Sequence, residues 1–213
     1  MLTVTFDDRQ VRRMLKGLGD DIANQSLREA VNKAAAKGNT EMKRRISREF
    51  NLRAGDVANQ LMARKASKSF SVVTAEILAQ PKVRGRRARN VIEFMERKVS
   101  LAEARRRRKS GTLKDLRFEI RRGRKVMIPG SFVLTANRGT FVAQRVPGSV
   151  APSRSKYAGT KHAEQIKAVQ TIDVPQMFNT KRIALEVIRN LETKLLPEEL
   201  QRAIAYALKR FGK

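Results

Sequence analysis

Three features of the chain point to an α+β protein. A long run near the N-terminus repeats apolar residues every three or four positions. A central cluster of short alternating runs is divided by Gly and Pro. An amphipathic segment then fills the C-terminal region. The expected architecture is one domain over residues 1–213. It has a long N-terminal helix and C-terminal helices packed on a small, mostly antiparallel sheet. A basic extended arm over 82–112 and a long surface loop over 146–163 complete it.

Residues 3–6 (TVTF) read as a short strand, and Asp7-Asp8 can cap a first helix whose apolar face is Val11, Met14, Leu15 and Leu18. A second, long helix starts near Asp20. Its stripe runs through Ile22, Ala23, Leu27, Ala30, Val31, Ala34, Gly38, Met42, Ile46 and Phe50. That stripe is rich in Ala and Gly, so another element can approach it closely. The opposite face carries Arg28, Lys33, Lys37, Lys43, Arg44, Arg45 and Arg48 and reads as a solvated helix surface. Asn51–Gly55 breaks the helix, and Asp56 can cap a short one running through Leu61 and Met62. Residues 69–79 then predict a strand, with Val73, Ala75 and Ile77 on one face and Phe70 and Val72 on the other; Pro81 ends it.

Residues 116–145 predict a β-meander. Leu116, Phe118 and Ile120 alternate with charged residues, and Val126 and Ile128 follow a turn at Gly123. Pro129-Gly130 turns the chain into Phe132-Val133-Leu134, and Asn137-Arg138-Gly139 turns it into Phe141-Val142. Ile166, Val169 and Ile172 lead to Pro175, which is favourable in a helix's first turn. Ile183, Leu185, Val187, Ile188, Leu191 and Leu195 make the next helix amphipathic. Leu196-Pro197-Glu198-Glu199 ends that helix and starts a last one with Leu200, Ile204, Ala207, Leu208 and Phe211.

Composition bounds the chemistry. Hydrophobic residues make up 41% of the 213, enough for a core, but with 5% aromatics and no Trp that core is aliphatic with Phe as its large pieces. The absence of Cys excludes disulfides, thiolate metal sites and cysteine nucleophiles. The N-terminus lacks the basic and apolar regions of a signal peptide, and no apolar run approaches the roughly 18–20 residues of a membrane span. His162 is the single histidine and sits in the polar loop with no carboxylate or cysteine pattern beside it. Glu41-Met-Lys43 and Glu192-Thr-Lys194 have a spacing that some nucleases place on a strand. Here both fall on predicted helices, where i and i+2 do not share a face. Asp7-Asp8 and Asp20-Asp21 sit at helix starts, where the dipole favours them. The expectation is a protein without enzymatic activity, cofactor or metal.

A net charge of +27 favours contact with a polyanion or assembly beside one. The charge is concentrated over residues 82–125, with 18 Lys or Arg against 5 Asp or Glu. Arg86, Arg87 and Arg89 form one cluster; Arg105, Arg106, Arg107, Arg108 and Lys109 form a second. Like charges in a block repel and resist compaction, so 103–112 reads as an arm. Its guanidinium groups suit phosphate oxygens, in a sequence-independent and salt-sensitive way. The same run also serves as a solvated arm that keeps the chain soluble, and the sequence leaves both uses open.

Several short motifs resemble, in their order, the phage minor tail protein Z family of tail completion proteins. They are Val91-Ile92-Glu93-Phe94, Gly123-Arg124-Lys125-Val126 leading into Ile128-Pro129-Gly130-Ser131-Phe132, Gly139-Thr140-Phe141-Val142 with Arg145, and Val174-Pro175-Gln176-Met177-Phe178. The N-terminal part, a long Ala-rich helix followed by Glu49–Val57, agrees more loosely. The stretch from Arg97 to Gly111 and the loop from Pro147 to His162 are longer than the family norm. The resemblance implies a structural virion protein of a tailed phage or prophage, assembled in the bacterial host cytoplasm. Such a protein finishes the tail top and helps join it to the DNA-filled head. By analogy it forms a ring, a hexamer, and meets a tail terminator, tail tube and head–tail connector, with packaged DNA phosphates as a further partner. The competing reading, carried by charge alone, is a free sequence-independent nucleic-acid-binding protein acting in DNA packaging or regulation.

Overall fold

The structure, a computed structural model, describes residues 2–4, 20–66, 73–81, 88–95, 116–136, 139–150 and 164–211. It is α+β, with a long N-terminal helix, C-terminal helices and small antiparallel sheets. The chain forms two compact units. The first comprises 1–47, 53–85 and 174–213; the second comprises 48–52 and 86–173. The expected helix from Asp7 to Leu18 lies outside the described residues, as do most of the basic arm and residues 151–163 of the polar loop.

In the first unit, strand β1 (Leu2–Val4) precedes helix α1 (Asp20–Glu49). At 1.5 Å per residue, α1 is roughly 45 Å long. The predicted stripe is its buried face: Ala23, Leu27, Ala30, Val31, Ala34, Met42 and Ile46 are all shielded, and Ala35, outside that stripe, is buried with them. Helix α2 (Ala54–Gln60) ends one residue before the expected stretch, and Leu61–Arg64 is strand β2 instead. The apolar run Leu61-Met62 reads equally as helix or strand from periodicity. Pairing decides it, because Leu61 faces Ala79 and Arg64 faces Glu76 on strand β3 (Ala75–Ala79), which also pairs with β1. Val73, Ala75 and Ile77 are buried, as their alternation requires.

At Gly38, α1 lies close against its neighbours. A Cβ there would sit 2.7 Å from Leu191 Cδ2 and 3.1 Å from Ile77 Cδ1. Both of those side chains are fully buried, so their methyls have little room to retreat. An alanine would gain about 1 kcal/mol of helix propensity but meet this wall.

Helix α3 (Val174–Phe178) holds Pro175 in its first turn and buries Val174, Met177 and Phe178. Asn179-Thr180 interrupts the helix before α4 (Lys181–Asn190), so the single helix expected here is two. The break expected at Leu196-Pro197 does not occur. A π-helical turn over Leu191–Leu195 joins α4 to α5 (Leu196–Phe211), and Leu196 N–H donates to Leu191 O. Pro197 has no N–H to give, and its ring would crowd a regular preceding turn. A widened turn makes room for it. Thr193 Oγ1 donates to Arg189 O at 2.8 Å within that turn. Leu196, Leu200 and Ala207 of α5 join the core of Leu27, Val31, Ala34 and Ala75. Leu185, Leu208 and Phe211, expected on apolar stripes, are exposed.

The second unit is built from strands. β4 (Ala88–Asn90) leads into a 3-10 turn (Val91–Phe94); β5 (Leu116–Arg121) pairs with β6 (Arg124–Ile128). β7 (Ser131–Ala136) pairs with β8 (Gly139–Arg145), which pairs with β9 (Ile166–Ala168), and β10 (Gln170–Ile172) pairs with β4. All four strands of the expected meander are present, but they divide between two sheets, because β6 and β7 do not pair. The turn at Pro129-Gly130, with Gly130 at φ +67°, redirects the chain between them. Short strands β9 and β10 were not expected; three-residue runs carry too little periodicity to be seen. Val91, Leu116, Phe118 and Val142 form the core.

The Asn90 carboxamide sits at the junction of these strands. Nδ2 donates to Val142 O and Val169 O, both at 3.0 Å, while Oδ1 accepts from Ile92 N at 3.0 Å and Val142 N at 2.9 Å. Val169 N in turn donates to Val142 O at 2.9 Å, and Val91 N to Val169 O at 3.2 Å.

Within the first unit the buried Glu199 carboxylate of α5 meets Lys37 Nζ at 2.5 Å and Arg202 Nη1 at 2.7 Å. The Lys37 hydrogen bond, opposed by burial and aided by both positive charges, holds the carboxyl below its ordinary value of 4.5. Because the folded pKa is depressed, the ionised form stabilises the fold. That contribution is present above 4.5 and is lost as pH falls through the lowered folded value. Glu199→Gln should therefore lower the urea midpoint at neutral pH, and the gap from wild type should narrow at about pH 3.

Candidate nucleic-acid interface

Of the residues singled out for phosphate contact, Arg86, Arg87, Arg105, Arg106, Arg107, Arg108 and Lys109 lie outside the described residues. Arg89 is described, and it is not on a surface. Strand β4 pairs Arg89 with Thr171 of β10, and the Arg89 side chain is 2% exposed. Its Nε donates to Asp173 Oδ1 at 3.0 Å, and Asp173 is equally buried. Its Nη1 donates to Glu93 on the 3-10 turn, four residues on. A guanidinium enclosed between two carboxylates serves the fold, not a phosphate. The sequence gives Arg89 the same appearance as Arg86 and Arg87. Nothing in the sequence separates it from them, because its burial depends on Asp173, distant along the chain.

Among the exposed cations that the structure describes, a close group lies on the β5–β6 hairpin. Arg117, Arg121, Arg122, Arg124 and Lys125 are all exposed, against one carboxylate, Glu119. Glu119 Oε1 accepts from Gly123 N at 2.8 Å, so part of that carboxylate holds the turn. Gly123 supplies the positive φ, +76°, that the two-residue connection needs. The register pairs Arg117 with Met127, Glu119 with Lys125 and Arg121 with Arg124, and shifts between Glu119 and Arg121. Leu116 and Phe118 are buried, so Arg117 and its neighbours at Met127 and Lys125 occupy the outward face. The bulge turns Arg121 to the other face, where its guanidinium lies 5.6 Å from the Phe50 ring centroid and 3.8 Å from Glu49. The outer edge of β5 is covered in part by bridges from Phe50 and Met95. β6 ladders with β5 alone among the described residues.

Elsewhere the described residues offer little chemistry. A shallow groove of about 390 Å³ in the first unit is lined by Lys37, Thr40, Glu41 and Arg44. Glu41 there accepts from Arg45 Nε at 2.7 Å, so the Glu41-x-Lys43 pair sits on ordinary helix surface. No group of three His, Asp or Glu is arranged to hold a metal among the described residues, and none of the described helices is long and apolar enough to cross a membrane. No family model, no curated protein and no solved structure matches this chain.

The Arg89–Asp173 pair has a measurable consequence. Removing one member of a buried pair leaves an uncompensated charge and costs about 3–5 kcal/mol, whereas replacing both by apolar groups costs far less. Arg89→Met, which takes the guanidinium from the buried Asp173 carboxylate, should destabilise the protein by about that amount in urea titrations, and the double variant R89M/D173L should recover a large part of the loss.

Proposed function

We propose that this chain is a structural virion protein of a tailed phage or prophage, a tail completion or neck component that finishes the tail top and helps join it to the DNA-filled head. It acts without enzymatic chemistry, as a ring of identical copies, a hexamer, set among the tail terminator, the tail tube and the head–tail connector. The cluster at Arg86 and Arg87 and the run from Arg105 to Lys109 face packaged DNA phosphates in this reading.

The observation that carries the proposal is the order of the short motifs along the chain, together with where they fall in the fold. Val91-Ile92-Glu93-Phe94 is the 3-10 turn beside Asn90, with Val91 and Phe94 buried. Gly123 and Gly130 are the positive-φ turns at either end of β6. Gly139–Arg145 is strand β8, and Val174–Phe178 is helix α3, three of whose five residues are buried. These residues set turns and core. A resemblance resting on them concerns a shared framework, which suits a protein whose work is assembly.

A second reading, a free nucleic-acid-binding protein, is favoured by the net charge of +27 and by the exposed cations of the β5–β6 hairpin. Deleting the gene in the native phage or prophage and imaging the induced lysate by electron microscopy separates the two. Filled heads and unjoined tails, or tails with abnormal upper ends, are expected. Normally joined particles would reject the tail reading in favour of the free DNA-binding one.

A further inference from the structure

We infer that the β5–β6 hairpin is a contact for the phosphate backbone of duplex DNA, separate from the pair Arg86-Arg87 and the run at 105–109. The inference stands whether or not the chain belongs to a phage tail.

The hairpin has the composition of an anion-binding element. Four of its five cations are arginines, whose planar guanidinium groups match phosphate oxygens two bonds at a time. Arg121, Arg122, Arg124 and Lys125 fall within five consecutive positions around the tip. Among the described residues, Arg117, Arg122 and Arg124 have no carboxylate partner, so their charge is available to a ligand.

Its shape selects the ligand. The major groove of B-DNA, about 12 Å wide, admits a two-stranded β-ribbon. At the exposed tip, beyond the buried Leu116 and Phe118, the bulge between Glu119 and Arg121 distributes the cations over both faces: Lys125 lies on one, and Arg121 with its cross-strand partner Arg124 on the other. A ribbon charged on both faces suits a groove with phosphates on both walls. A flat anionic bilayer would favour one charged face. A single strand would call for exposed aromatics to stack its bases, yet the hairpin's one aromatic, Phe118, is fully buried. The remaining exposed side chains near the tip, Val126 and Met127, read no base edge by hydrogen bonding. Binding is therefore independent of sequence.

Charges on an edge strand also prevent strands of two molecules from pairing, and among the described residues β6 is such an edge. The experiment distinguishes these roles. The full chain, its R117Q/R122Q/R124Q variant and a control variant K33Q/R44Q/R189Q are compared for binding to a mixed-sequence duplex across a salt series. The control removes the same charge from exposed helix positions. Each lost phosphate contact lowers the slope of log K against log salt by about 0.9, so the hairpin variant should lose about 2.7 and the control almost nothing. Equal losses in both variants would overturn the inference in favour of net charge alone. An unchanged slope in the hairpin variant would overturn it as well, and new self-association alongside that unchanged slope would assign the charges to edge protection. Binding to phosphatidylserine vesicles that exceeds binding to the duplex would also reject it, in favour of a membrane surface.

Discussion

The second unit turns on one carboxamide. Asn90 has two N–H donors and an oxygen with two acceptor sites, and all four are used on backbone groups from three separate stretches of chain. Val142 is addressed twice, through its carbonyl and its N–H, and Val169 and Ile92 once each. The chain at Val169 leaves its partnership with β8 to join β4, a place where a ladder loses its regular partners. Buried backbone groups without partners each cost about 1–3 kcal/mol, so a side chain must supply what the ladder cannot. No other residue type supplies two donors and two acceptors at that reach. Aspartate would set oxygen against two carbonyls, and leucine would satisfy nothing.

The same junction explains why a basic-cluster residue became a framework residue. β4 places Asn90 at the seam and Arg89 one residue earlier, pointing to the opposite side of the strand, where Asp173 and Glu93 enclose it. The positive charge of the chain is thus divided by burial. Arg89 holds structure together, while the cations of the β5–β6 hairpin remain at the surface. In the first unit the buried Glu199 carboxylate pairs with Lys37 and Arg202, which stay exposed, as Lys33 and Arg44 do on α1.

Much of this architecture was legible from periodicity. The Ala-rich stripe of α1 is the buried face it appeared to be, and Gly38 lies where close approach is demanded. Val73, Ala75 and Ile77 share a face, and the four strands from 116 to 145 lie close to their predicted limits. What was not legible depends on partners distant in sequence. Leu61-Met62 became a strand because β3 was available to pair with it. The meander split at Pro129-Gly130 because a turn fixes direction but not whether its flanking strands pair. Pro197 did not end its helix because the preceding turn widened, a response that local propensity does not encode. Of the candidate site, the sequence identified the excess of charge. It did not separate Arg89 from its neighbours, because burial is a property of the fold.

Residue-resolved hydrogen exchange on Asn90→Ala tests most directly whether the second unit depends on this carboxamide. If Asn90 holds the seam, the amides of Ile92, Val142 and Val91 should lose protection together, each by more than about tenfold, since several backbone groups lose partners at once. Loss confined to Ile92, with Val142 and Val91 exchanging as in the native protein, would show that the strands hold one another without the side chain and would contradict the account.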